Sequence, residues 1–193
     1  DLPLNAAHLG GAACALARAW DATHPGSAQL AVEIDPKLAA YVRQWFDLPR
    51  SPRLRIRIDD AVVAAPSLKA QSWDVVVRDI FSAGTVPDSV CTPEFMHSCM
   101  NALKSEGLFL INTASAPTSQ VQAQFAALAQ ISDFLVISDA AVARGKRRGN
   151  LVLVARKTGF SAEDFDRLSR AVRKLPLPAQ LYRHSDTALS RYN

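Results

Sequence analysis

Short apolar runs of strand length alternate with runs of helical length along most of this chain, and that alternation constrains the fold more than any other feature. Leu4–Leu9 is short and apolar and ends at Gly10-Gly11, and Ala12–Trp20 is Ala-rich and helical. Pro25-Gly26-Ser27 breaks the chain before a second strand, Gln29–Ile34. Asp35-Pro36 then supplies an N-cap and a favoured first helical residue for Lys37–Phe46. Leu54–Ile58 alternates Arg with aliphatics and reads as a third strand, Ala61–Leu68 as a short helix, and Trp73–Val77 as a buried fourth strand. Thr92-Pro93-Glu94 opens a helix to about Lys104, Gly107 stops it, and Leu108–Asn112 follows as the fifth strand. Helix Ser119–Gln130 precedes strands Phe134–Ile137 and Leu151–Ala155, which are separated by about a dozen loop residues and pair as an antiparallel hairpin. Ser161-Ala-Glu-Asp164 caps one more helix to about Lys174, Pro176 and Pro178 end it, and the tail to Asn193 reads as irregular. Strands alternating with helices predict a mostly parallel sheet covered on both faces, with ligands at the carboxyl ends of its strands.

Composition narrows the class. A chain of 193 residues, 49% apolar and 21% charged, suits one ordinary domain and excludes a disordered or low-complexity chain. It holds no apolar stretch of about 18 residues, so no membrane-spanning helix is expected. The opening from Leu2 to Ala17 lacks a basic start and reads as a poor signal peptide. Cys14, Cys91 and Cys99 are an odd count without a CxxC pair, which fits reduced, buried thiols and a cytoplasmic location. No metal-ligand spacing involves His8, His24, His97 or His184, so no metal is expected. Charge is uneven: residues 1–143 carry 10 basic and 14 acidic side chains, residues 144–193 carry 12 and 4. The basic quarter, with Arg144-Gly-Lys-Arg-Arg148 as an exposed loop tip, reads as a solvated face rather than a nucleic-acid footprint.

The residues that follow the strands carry the chemistry. Gly10-Gly11 ends the first strand, Glu33 and Asp35 the second, Asp59 and Asp60 the third, and Asp79 the fourth. A glycine turn lets a ligand approach the backbone. An acid about 22 residues beyond it suits a ribose diol, although Asp35 reads as a helix cap. An acid after the third strand can accept from an exocyclic amine such as adenine's. Asp79, partly desolvated by Val75–Val77 and Phe81, suits a general base. Such a rim favours a neutral or cationic ligand, a sulfonium nucleoside rather than a pyrophosphate.

The blocks His8-Leu-Gly-Gly-Ala-Ala with Arg18, Val32-Glu-Ile-Asp35, Ile58-Asp-Asp-Ala61, Val75-Val-Val-Arg-Asp79, Glu94-Phe95 and Leu103-Lys-Ser-Glu-Gly-Leu-Phe-Leu110 resemble the spermidine synthases, more closely the spermidine-synthase-like proteins of actinobacterial type. The resemblance implies a Rossmann-like class I methyltransferase fold with a seven-stranded sheet. It implies a nucleoside-binding domain over residues 4–156 and a C-terminal helix and basic tail over 157–193. It further implies that Gly10 and Gly11 pass beneath the nucleoside, Glu33 holds the ribose hydroxyls, Asp60 and Ala61 meet the adenine, and Asp79 is the general base. The activity implied is aminopropyl transfer from decarboxylated S-adenosylmethionine to a small amine by a homodimer. The chain departs from the family at Ala12, Ala13 and Cys14, where the glycine motif continues Gly-Asp-Gly, and at Ser82, where a second Asp contacts the diamine. It is also expected to lack the family's N-terminal β-rich segment, since it starts at the first sheet strand. Two other readings stay open: a homologue that binds a nucleoside or a partner without catalysis, and a methyltransferase that uses S-adenosylmethionine itself.

Overall fold

The computed structural model describes residues 2–11 and 13–188. Five strands lie parallel and in the order their helical crossovers require: β1 (Asn5–Leu9), β2 (Ala28–Glu33), β3 (Arg55–Ile58), β4 (Trp73–Arg78) and β5 (Leu103–Ala114). Beyond β5 the sheet turns antiparallel through β7 (Asn150–Ala155), β6 (Phe134–Ser138) and β8 (Gln180–Arg183). The order across the sheet is β3-β2-β1-β4-β5-β7-β6-β8. The α/β class and the antiparallel pairing of β6 with β7 agree with the sequence reading. The sheet has eight strands rather than seven, because the tail expected to be irregular supplies β8 at the edge of β6.

Helices α1 (Ala15–Thr23), α2 (Pro36–Trp45), α3 (Ala61–Ala64), α4 (Pro93–Ala102), α5 (Thr118–Ala129), α6 (Ala140–Ala143) and α7 (Ala162–Val172) follow from local chemistry where that chemistry is strong. The Asp35 carboxylate accepts from the Lys37 and Leu38 amides at 2.8 and 3.2 Å, a cap contributing about 1 kcal/mol. Thr92 caps α4, and Ser161 with Asp164 forms a reciprocal capping box on α7. Residues of β2 alternate between faces: Leu30 and Val32 enter the large core under α3, α4 and α5, while Ala31 faces Cys14, Ala17 and Val42 of the opposite layer. Phe165 and Leu168 of α7 cover Leu135 and Val154 farther along that face.

Two boundaries differ from expectation. Gly107 does not stop α4, which ends at Ala102; it lies in an irregular stretch inside β5, where Trp73 pairs with Leu103 and Val75 with Leu108. A Cβ there would stand 2.8 Å from the Trp73 carbonyl oxygen, so the glycine serves a close approach of two strands. The supposed loop between β6 and β7 contains α6, capped by Asp139. Trp45 is exposed and stacks on Tyr41. Among the described residues no helix is long and apolar enough to cross a membrane.

Candidate functional site

β1 is paired to β2 on one side and to β4 on the other, so the chain reverses its direction of winding there and opens a crevice outside the strand ends. A cleft of about 390 Å³ occupies that crevice, and Gly10, Glu33, Asp60, Ala61 and Asp79 all line it. Gly11 stands behind, where a Cβ would meet the Ala31 Cβ at 2.7 Å. A larger open concavity of about 690 Å³ lies elsewhere, between the end of α2 and the start of β3.

Backbone bonds fix the rim. The Gly10 and Gly11 amides both donate to the Val32 carbonyl at 3.0 and 2.8 Å, Asp79 N–H donates to Leu9 at 2.9 Å, and Asp59 N–H to Glu33 at 3.0 Å. Gly10 has φ +84°, and a Cβ on it would lie 2.2 Å from the Asp79 carbonyl oxygen. No other residue type fits where β1 passes β4 at that distance.

The carboxylates divide by role. Glu33 is buried, and its Oε1 accepts from the Asp35 amide at 2.9 Å, which fixes the side chain at the end of β2. Asp35 is taken up by the α2 cap and stays out of the cleft lining. Asp59 is held by the Arg57 guanidinium and accepts the Asp60 amide at 2.8 Å. Asp60 caps α3 through the Val62 amide at 2.8 Å while facing the cleft. Asp79 is exposed rather than partly desolvated, because Phe81 also turns outward and the flanking valines belong to the strand behind it. Among the described residues that line the cleft there are four carboxylates and no Lys or Arg. Ala13 packs into the smaller core, Cys14 is buried at the start of α1, and Ala12 lies outside the described residues.

Four polar residues in the network beside Asp79 went unrecognised in the sequence. Asn112 Nδ2 donates to Asp79 Oδ1 at 2.9 Å, and Asn112 Oδ1 accepts from Asn150 Nδ2 at 3.3 Å, which together set the orientation of the amide. Arg78 is wholly buried beneath the rim, donating to Gln124 Oε1 at 2.6 Å and to the Asn112 carbonyl at 3.2 Å. Burial pushes its pKa down; the Cys91 thiol first, then Cys99 and Asp79, oppose that shift. Gln124 completes the network by donating to Thr113 Oγ1 at 3.0 Å. The available signal was a polar residue closing an otherwise apolar strand, Arg78 after three valines and Asn112 after Leu108–Ile111.

No protein-family model matches the chain. It is similar to a probable spermidine synthase from Corynebacterium glutamicum, with TM-score 0.84 and 33% identity over 95% of this chain and 67% of that one. A polyamine aminopropyltransferase of Neisseria meningitidis is 25% identical over 174 residues, 90% of this chain. The chain spans 64% of the length of that relative. Human Methyltransferase-like protein 13, in complex with SAH, shares the fold with TM-score 0.72 and 21% identity over 91% of this chain.

Proposed function

This chain belongs to the spermidine synthase-like family, and we propose that its cleft transfers an aminopropyl group from decarboxylated S-adenosylmethionine to a small amine. The observation that carries this reading is the charge of the cleft: among the described residues that line it there are four carboxylates and no cation, beside a Gly10 that leaves no room for a Cβ against the Asp79 main chain. A sulfonium with an ammonium on its propyl arm is a dication, and a carboxylate-lined crevice favours it over any phosphate-bearing nucleotide.

In this reading the fixed Glu33 carboxylate accepts from the ribose hydroxyls, and Asp60 and Ala61 meet the adenine edge. The acceptor must arrive as a neutral amine. Its nitrogen lone pair forms a bond to the propyl carbon attached to sulfur, and the carbon–sulfur bond breaks with its electron pair going to sulfur. A neutral thioether, methylthioadenosine, leaves. Asp79 takes the proton that the alkylated nitrogen no longer holds. Asn112 orients the Asp79 carboxylate for that transfer. The exposed position of Asp79 means that water must be displaced by the substrates themselves.

Release of methylthioadenosine, measured with decarboxylated S-adenosylmethionine and a panel of amines, tests the proposal. Asp79→Asn should remove turnover and leave nucleoside binding intact, and full turnover by that variant would take the base role from Asp79. A second reading, nucleoside binding without transfer, is favoured by Ser82 in place of an amine-binding acid and by Ala13 in the cofactor loop. Binding at normal affinity with no product from any amine would decide for it. Methyl transfer would instead show as product from S-adenosylmethionine itself.

A further inference from the structure

β4 ends at Arg78, opposite Ile111, while β5 runs on to Ala114. Asn112, whose side-chain amide holds Asp79, is therefore the first residue of β5 beyond its last pairing with β4. The Arg78 guanidinium takes over at that point. Its Nη2 donates to the Asn112 carbonyl at 3.2 Å and to Gln124 Oε1 of α5 at 2.6 Å. Its Nη1 reaches the Val90 carbonyl at 3.5 Å and the Cys91 thiol at 3.8 Å, at the end of the segment whose Pro87, Ser89 and Val90 wall the cleft. One side chain, a single residue before Asp79, thus joins the strand that carries Asn112, helix α5 and the cleft wall.

Stability alone does not call for a cation here. Arg78 is wholly buried, and among the described residues it makes no ion pair and its Nε has no hydrogen-bond partner. A buried guanidinium without an anion is costly, and an apolar side chain continuing Val75, Val76 and Val77 would fill the space at lower cost. Such a side chain would make none of these bonds. Only a planar fork presents donors in fixed directions to acceptors on three separate segments. We infer that Arg78 is a positioning residue for the transfer: by fixing the Asn112 main chain it sets where the Asn112 amide stands, and through that amide the direction of the Asp79 carboxylate. The inference rests on the aminopropyl-transfer reading for its effect on rate, whereas the geometry it asserts is measurable without turnover.

Arg78→Met/Gln124→Leu removes both members of the buried pair, so it tests positioning apart from folding. With decarboxylated S-adenosylmethionine and the best amine of the panel, its kcat should fall about tenfold or more. KM for the sulfonium nucleoside and affinity for methylthioadenosine should stay within about twofold, because Arg78 donates no hydrogen bond to Gly10, Glu33 or Asp60. Asn112→Ala should lower kcat by a similar factor, and adding it to the double variant should lower kcat no further, since the one residue acts through the other. Arg78→Lys keeps the charge and loses the fork, so it should not restore the rate. A second readout needs no product: in a crystal structure of the double variant the Asn112 amide should no longer lie within hydrogen-bonding distance of Asp79 Oδ1. Unchanged kcat in the double variant, additive losses with Asn112→Ala, full turnover by Arg78→Lys, or the 2.9 Å bond intact in that crystal structure overturns the inference. Absence of product from the unaltered protein with every amine defeats aminopropyl transfer instead, and the crystal structure then decides on Arg78 by itself.

Discussion

Gly10→Ala tests whether the close approach of β1 to β4 shapes the proposed binding site. The added methyl would sit 2.2 Å from the Asp79 carbonyl oxygen and 2.9 Å from Ile80 Cγ1, and φ is +84°. The left-handed backbone alone costs a non-glycine residue about 1–2 kcal/mol. The clash is with main chain, so no rotamer change relieves it; β4 must retreat by about 1 Å from β1, weakening the 2.9 Å bond from Asp79 N–H to Leu9, itself contributing about 1 kcal/mol. The total is about 2–3 kcal/mol, a fall in Tm of about 4–12 °C for a domain of this size. Gly84→Ala provides the control. Gly84 has φ +79°, but a Cβ added there would meet nothing within 4 Å, so the substitution carries the backbone cost alone, about 1–2 kcal/mol. Scanning calorimetry on the two variants, with and without methylthioadenosine, separates strain from close approach. Gly10→Ala should also lose the ligand-induced rise in Tm, which for a ligand at about a hundred times its Kd reflects roughly 2.7 kcal/mol. Equal destabilisation by the two substitutions, or an intact ligand response in Gly10→Ala, would refute the reasoning.

Glu33→Gln should leave Tm nearly unchanged and weaken methylthioadenosine binding by about tenfold or more, since charged hydrogen bonds contribute about 1.5–3 kcal/mol; unaltered affinity by titration calorimetry would remove Glu33 from the ligand site. Arg78→Met strands the Gln124 amide oxygen in the core, whereas Arg78→Met with Gln124→Leu removes both partners. The double variant should therefore be more stable than the Arg78 single variant by about 1–3 kcal/mol in denaturant unfolding, and additive effects would show that the pair is not coupled. His8 is buried against Trp20, and its Nε2 donates to Gln29 Oε1 at 3.0 Å. Burial pushes its pKa below 6.5, with the Gln29 bond opposing. The unfolded chain then takes up a proton that the folded one refuses, so stability is full above about pH 6.5 and falls as pH drops toward the folded value. Denaturant midpoints between pH 7.5 and 5.5 should show the fall, and His8→Gln should flatten it.

The order of elements and the location of the cleft were written in local sequence. Alternating short apolar and longer amphipathic runs fix a parallel sheet because each strand must be buried on both faces, and Asp35-Pro36, Thr92-Pro93 and Ser161 with Asp164 fix helix starts by satisfying amides a few residues away. Gly10, Glu33, Asp60, Ala61 and Asp79 were legible for the same reason: each ends a strand or opens the next helix, and strands that run parallel deliver their ends to one rim. Contacts between distant segments were not legible. That Asp59 is held by Arg57 while Asp60 faces the cleft, that Asp79 is exposed, and that Asn112 and the buried Arg78 meet beside it depend on register between β4 and β5, which no local pattern encodes. The tail showed no strand period strong enough to read, and Gln180–Arg183 becomes β8 because β6 offers an open edge whose backbone donors and acceptors need partners. Local chemistry chose the elements and brought the acids to one rim; tertiary packing decided which acids remain available to a ligand, because that depends on what each one meets across the sheet.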